Sequence, residues 1–212
     1  MSKLFIFLLS FNCFLSQAQS FDFECNTLPE SKHSNEITVH NAFIDTTKID
    51  FELKLWHHTL GLSGESYKIF VLRHYNRNLW RAFLFDGSKN QLDPKNMDEY
   101  FAQYEIKQSK SQKWQPLWDS LASSNILTIS PPSNETLERL MNKNNPRYPE
   151  IIHSVEISDS GDDYTIELTN KKCKRRTFWN YTYLSLDFYT QLSEVKSFKE
   201  IQNILNNRFS NF

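Results

Sequence analysis

Apolar and polar residues alternate with a period of two from Ile49 to Leu55, where Ile49, Phe51, Leu53 and Leu55 are separated by Asp50, Glu52 and Lys54. That period sends successive side chains to opposite faces and predicts a half-buried strand over residues 49–56. Gly61 and Gly64 predict a turn, followed by strands over residues 67–75 and 79–85 with a second turn at Asn76-Arg77-Asn78. The pattern returns later in the chain. A strand over residues 151–157 leads to a turn at Asp159-Ser160-Gly161-Asp162. Tyr164, Ile166 and Leu168 then alternate with Thr165, Glu167 and Thr169, and a last strand covers residues 175–183.

After each group of strands the spacing becomes helical. Residues 96–104 and the set Trp114, Leu117, Trp118 and Leu121 follow the first group. Residues 186–195 and 198–209 follow the second, with Phe198, Ile201, Leu205 and Arg208 on one face and a capping box at Ser197 and Glu200. Between the groups lie a short strand over residues 126–129 and an Asn- and Pro-rich stretch over 131–149, with a helix around Leu137, Leu140 and Met141. Strands grouped with strands and helices with helices predict an α+β fold: antiparallel β-meanders with helices packed on one face.

The two groups also resemble each other in sequence. Ser63-Gly64-Glu65-Ser66-Tyr67-Lys68-Ile69 matches Ser160-Gly161-Asp162-Asp163-Tyr164-Thr165-Ile166, and Arg81-Ala82-Phe83 matches Arg176-Thr177-Phe178. Two duplicated βββ-αα halves, residues 49–122 and 151–209, account for the match. Two ordinary hairpins with common turn residues account for it as well.

The start of the chain sets the compartment. Met1-Ser2-Lys3 precedes a largely apolar run over residues 4–15, and Ser16-Gln17-Ala18 places small residues where a signal peptidase cuts. Residues 1–18 therefore read as a secretory signal, too short to span a membrane comfortably, and residues 19–212 as one exported domain, periplasmic or secreted. No transmembrane segment is expected after cleavage. Cys13 leaves with the signal, so Cys25 and Cys173 remain of the three cysteines and are expected to form a disulfide in an oxidising compartment. The junction Ser16-Gln17-Ala18-Gln19-Ser20 and the general layout resemble those of small exported proteins of the Bacteroidota.

Composition changes the picture in two respects. Aromatic residues make up 15% of the chain, enough apolar surface for a core, while the four glycines argue against Gly-rich phosphate loops. The formal net charge of −1 favours neither nucleic acid nor an anionic membrane, and no nucleic-acid partner is expected.

Few motifs carry chemistry. Lys171, Lys172, Lys174, Arg175 and Arg176 concentrate five cations around Cys173, either as a patch for a polyanion or as the solvated tip of a hairpin. Trp179, Tyr181 and Tyr183 share one face of a predicted strand, as a stacking platform for sugars or a partner strand, or as core. His57-His58 diverge on a strand and chelate poorly, so they read as an exposed strand end, and no metal or other cofactor is expected. Gly61-Leu62-Ser63-Gly64 lacks the spacing and the strand-to-helix context of a nucleophile elbow. Asp162-Asp163 and Asp98-Glu99 read as turn and helix-start residues, and no catalytic residue is assigned. Asn134-Glu135-Thr136 and Asn180-Tyr181-Thr182 are glycosylation sequons in a host that modifies them.

Three readings follow. The first is an exported, non-catalytic binding or interaction domain with a protein or glycan partner in the envelope or outside the cell. The second is a secreted hydrolase acting on glycans or other envelope material. The third is a structural or inhibitory envelope protein that holds polyanions through the basic hairpin tip.

Overall fold

A computed structural model of the chain describes residues 21–25, 48–61, 64–75, 79–89, 100–106, 114–144, 161–180, 184 and 189–209. The expected signal segment, the strand over 151–157, and Tyr181 and Tyr183 lie outside the described residues. Six strands form one sheet: β1 (Ile49–Gly61), β2 (Gly64–Tyr75), β3 (Leu79–Lys89), β4 (Tyr100–Ile106), β5 (Gly161–Asn170) and β6 (Lys174–Trp179). Their order is β4-β3-β2-β1-β5-β6, and every neighbouring pair is antiparallel. Three helices complete the described architecture: α1 (Trp114–Ser123), α2 (Asn134–Asn144) and α3 (Ser193–Phe209). The fold is α+β with antiparallel strands, as the periodicity predicts.

One face of the sheet builds the main core. Phe51, Leu53 and Leu55 of β1 line up with Phe70 and Leu72 of β2 and with Ile166 and Leu168 of β5. Trp114, Leu117, Trp118 and Leu121 of α1 and Val195, Phe198, Ile201 and Leu205 of α3 close over them, all essentially buried. Burying each such side chain is worth about 1.5–3 kcal/mol, so the residues at these strand and helix spacings dominate the stability. The opposite face carries a smaller buried cluster of Tyr67, Ile69, Val71, Phe83 and Phe85. The guanidinium groups of Arg73 and Arg81 lie over its Phe83 ring at 5.2 and 5.4 Å.

Five local expectations are corrected. Residues 100–104, expected as helix, belong to strand β4, which is rich in Tyr and Phe and pairs with β3 from Ala82↔Ile106 to Ser88↔Tyr100. Exposed ladder groups on β3 capture this aromatic segment, and tertiary pairing overrides the local reading. Residues 126–129, expected as a strand, instead form the turn that ends α1. There Asn125 is left-handed at φ 64°, the Asn125 amide donates to Ala122 O at 3.1 Å, and the Ile126 amide to Leu121 O at 3.2 Å. This is a Schellman cap, with the buried Ile126 packed in the same core as Leu121. The capping box at Ser197 is interior, because α3 begins at Ser193 and the Lys196 amide already donates to Leu192 O at 3.0 Å. Within the expected 186–195 helix, residues 186–188 lie outside the described residues, residues 189–192 are turn and bend, and α3 begins at Ser193. Strand β1 also continues past residue 56 to Gly61, which carries His57 and His58 into the sheet.

Residues 21–25 run across the main core as a short strap. The Phe21 ring stacks on Phe51 at 4.6 Å and meets Trp118 at 5.4 Å, while its carbonyl accepts a 3.0 Å hydrogen bond from Asn170 Nδ2. Cys25 is bonded to Cys173, with Cα atoms 5.8 Å apart and a sequence separation of 148. The predicted pairing is present.

Candidate functional site

The five cations of the β5–β6 hairpin are distributed over distinct partners. Lys171 Nζ lies 2.5 Å from Asp50 Oδ1, and Lys172 Nζ lies 2.8 Å from Asp22 Oδ1 of the strap. Lys174 and Arg176 both engage Glu167, through Nζ at 3.2 Å and Nε at 2.7 Å. Arg175 turns to the helix-covered face and is 8% exposed. Its guanidinium donates to the carbonyls of Leu127, Thr128 and Ile129, the last at 2.6 Å. Burial pulls the Arg175 pKa down from the ordinary arginine value, and Glu24 of the strap opposes that. The hairpin bend is fixed by Asn170 Oδ1, which accepts from the amides of Lys172 at 2.8 Å and Cys173 at 2.9 Å. The run therefore splits between two faces and a loop, as strand alternation requires.

Trp179 lies in the core. It is fully buried and stacked on Phe198 of α3 at 4.5 Å, while its neighbour Phe178 points to the other face and is partly exposed. Asn180 is also buried, which removes it from reach as a glycosylation acceptor, whereas Asn134 is exposed at the start of α2.

Sequence reasoning missed the arrangement around the two histidines. The pair diverges as a strand demands, and each ring finds a tyrosine and a carboxylate on its own side. On the helix-covered face His57 stacks on its register partner Tyr164 at 4.4 Å, and its Nε2 lies 3.3 Å from Asp162 Oδ1. On the other face His58 stacks on its register partner Tyr67 at 4.6 Å, with Nε2 3.6 Å from Glu65 Oε2. The Tyr67 hydroxyl donates to that same Glu65 carboxylate. Gly64-Glu65-Ser66-Tyr67 and Gly161-Asp162-Asp163-Tyr164 thus perform the same task on either side of β1. The signal was present in the internal match: an acid and a tyrosine two residues apart, after a glycine, in both groups. Asp162 and Asp163, expected as turn residues, sit inside β5, because that strand starts at Gly161.

The geometry fixes the chemistry of the His57 cluster. The Thr59 hydroxyl donates its one proton to Asp162 Oδ1 at 2.8 Å and lies 3.3 Å from His57 Nε2. Thr59 therefore offers His57 only an acceptor, and the triangle is satisfied when Nε2 carries the proton. In that tautomer the imidazole takes no proton from Thr59. Burial pushes the His57 pKa below its ordinary 6.5, the Asp162 charge opposes this, and Lys68 adds to it. The Tyr164 hydroxyl is pushed up to about 12 by burial and by Asp162, against a hydrogen bond with Gln202 of α3. His57, His58, Thr59, Glu65, Lys68, Asp162 and Asp163 are all half-buried, so this end of the sheet keeps polar groups both held and accessible.

Two further carboxylates are enclosed on the opposite face. Glu52 bonds Arg73 Nε at 2.5 Å and Lys54 Nζ at 3.2 Å, and Glu167 holds Lys174 and Arg176. Burial alone would raise the Glu52 pKa, but Lys54 and Arg73 together hold it below the usual carboxylate range. Elsewhere an open groove of about 330 Å³ runs between α1 and α3, lined by Pro116, Leu117, Ser120, Ile204, Asn207 and Arg208. Among the described residues no group of three or more His, Cys, Asp or Glu side chains is arranged to hold a metal ion, and no helix is long and apolar enough to cross a membrane. The chain matches no protein-family model and no curated protein.

Proposed function

We propose that the protein is an exported, non-catalytic binding domain that meets a protein or glycan partner at the polar end of β1, β2 and β5. The reading is carried by the half-buried set of His57, Thr59, Lys68 and Asp162, which lie side by side at the end of one sheet face. Such a surface offers imidazole, hydroxyl, ammonium and carboxylate groups whose positions are already fixed, so little ordering entropy opposes binding. The carboxylates are supporting evidence of a different kind. A glycosidase acid must be protonated before it acts, whereas the cations beside Glu52 favour its ionised form. Export is supported by the disulfide, which oxidising compartments preserve. The resemblance of the leader junction to Bacteroidota proteins makes the envelope of such a cell the natural place to look for the partner.

The test is retention of envelope proteins and glycans by the immobilised mature protein, compared with its Thr59→Ala and Asp162→Asn variants. At least tenfold weaker retention of a specific partner by both folded variants is expected. Equal retention by wild type and variants overturns the site. Turnover of envelope glycan by the wild type overturns the non-catalytic reading. Retention lost only when Lys171, Lys172 and Lys174 are neutralised together moves the function to the hairpin tip.

A further inference from the structure

We propose that residues 21–25 are a releasable plug, and that the aromatic surface beneath them is a second binding site for an extended Phe-x-Phe peptide. The site lies away from the histidine cluster and is independent of it. Phe21 sits in a box of four rings: Phe51 at 4.6 Å, His74 at 4.9 Å, Trp118 at 5.4 Å and Trp80 at 5.9 Å. The walls touch one another, with Phe51 and Trp118 4.7 Å apart, Trp80 and Trp118 5.7 Å apart, and His74 and Trp80 4.7 Å apart. The box therefore belongs to β1, β2, β3 and α1. Phe21 is its occupant, and Phe23, two residues on, leans on the edge of Phe51 at 6.4 Å. The intervening Asp22 points to solvent and meets Lys172, and Asn170 Nδ2 reads the Phe21 carbonyl. These are the elements of extended-peptide recognition: alternate side chains in a pocket, the residue between them on a rim charge, and a main-chain hydrogen bond.

The strap is also separable from the body. None of the described sheet pairings involves residues 21–25; their contacts include the packing of Phe21 and Phe23 on the core, the Asn170 hydrogen bond, the exposed Asp22–Lys172 ion pair, the charge of Glu24 beside Arg175 and the Cys25–Cys173 bond. Cys25 is exposed, so the bond is open to thiol–disulfide exchange. A dithiol oxidoreductase attacks the Cys25 sulfur as a thiolate, and Cys173 leaves as a thiolate and takes up a proton. The second thiol of the reductant then resolves the mixed disulfide. Cys25 and Cys173 end as thiols, and the two electrons come from the reductant, which ends as a disulfide. The plug is then held by non-covalent contacts alone, and a peptide of the same pattern competes for the aromatic box.

The test uses the full mature chain and a fluorescently labelled peptide Gln-Ser-Phe-Asp-Phe-Glu-Ser, with a control in which both phenylalanines are serine. Reduction, or the Cys25→Ser/Cys173→Ser double substitution, is expected to leave the far-ultraviolet circular dichroism intact and shift the tryptophan emission. It is also expected to raise affinity for the Phe peptide at least tenfold over the oxidised protein, with no saturable binding of the serine control. Equal binding of both peptides, no gain on reduction, or cooperative unfolding on reduction each overturns the proposal. In the last case the disulfide clamps the whole fold.

Discussion

Burial holds the His57 imidazole below its ordinary pKa of 6.5, against the pull of Asp162. The sign of the linkage follows. Above pH 6.5 the ring is neutral in folded and unfolded chains alike and does not affect stability. Below it the unfolded chain takes up a proton first, so stability falls with pH until the folded-state value is passed. His57→Gln is expected to flatten the dependence of the thermal midpoint on pH below about 6.5, and scanning calorimetry across that range measures it. Asn125 is a second residue with a readable role. At φ 64° a β-carbon is unfavourable, and asparagine tolerates this better than most residues. Asn125→Ala should cost about 1 kcal/mol, whereas Asn125→Gly should be close to neutral, by chemical denaturation. The cap was written in the sequence as Asn125 before Ile126. It was missed because the β-branched residues Ile126, Thr128 and Ile129 read more loudly as a strand than one asparagine reads as a stop.

At the scale of elements, the strands marked by alternation or by flanking turn residues were legible, and β4 was not. β1 and β5 each have one apolar set facing α1 and α3, so periodicity alone located them. β4 has neighbouring aromatics at Tyr100 and Phe101, and its identity depends on pairing with β3, a partner that no local window contains. The histidine site was illegible for a related reason: its carboxylates come from β2 and β5, and only the sheet register brings them to β1. The hairpin cations were legible as a run but not as a distribution. Arg175 is the informative one, since it ties β6 to the turn after α1 through three carbonyls. Arg175→Met should leave those carbonyls without their donor and cost about 2–3 kcal/mol, whereas Lys172→Met at the exposed tip should stay within about 0.5 kcal/mol, by urea unfolding.

Across the whole molecule, β1 is the strand on which both halves depend, with β2 on one side and β5 on the other. The buried Glu52–Arg73 pair lies along this seam. Arg73→Ala should cost about 3–5 kcal/mol, because it leaves Glu52 enclosed with Lys54 alone, while a joint Glu52→Gln/Arg73→Met change should cost clearly less. A double-mutant cycle on unfolding free energy checks this, and a double variant that costs the sum of the two single variants would show that Glu52 and Arg73 are not coupled. The depressed Glu52 pKa predicts a further loss as pH falls from the ordinary carboxylate range, where the unfolded chain binds the proton first.

The link from Cys25 to Cys173 has a consequence for biogenesis. Once the expected leader takes Cys13 away, the mature chain holds two cysteines, and two cysteines permit a single intramolecular pairing. If the chain is exported as proposed, the first of them emerges at the start of translocation and its partner follows 148 residues later. During that interval the leading thiol has no wrong partner within its own chain. Maturation therefore calls for a disulfide oxidase but has nothing for an isomerase to correct. Cells lacking the isomerase should accumulate the oxidised protein normally, and cells lacking the oxidase should accumulate it with both thiols free.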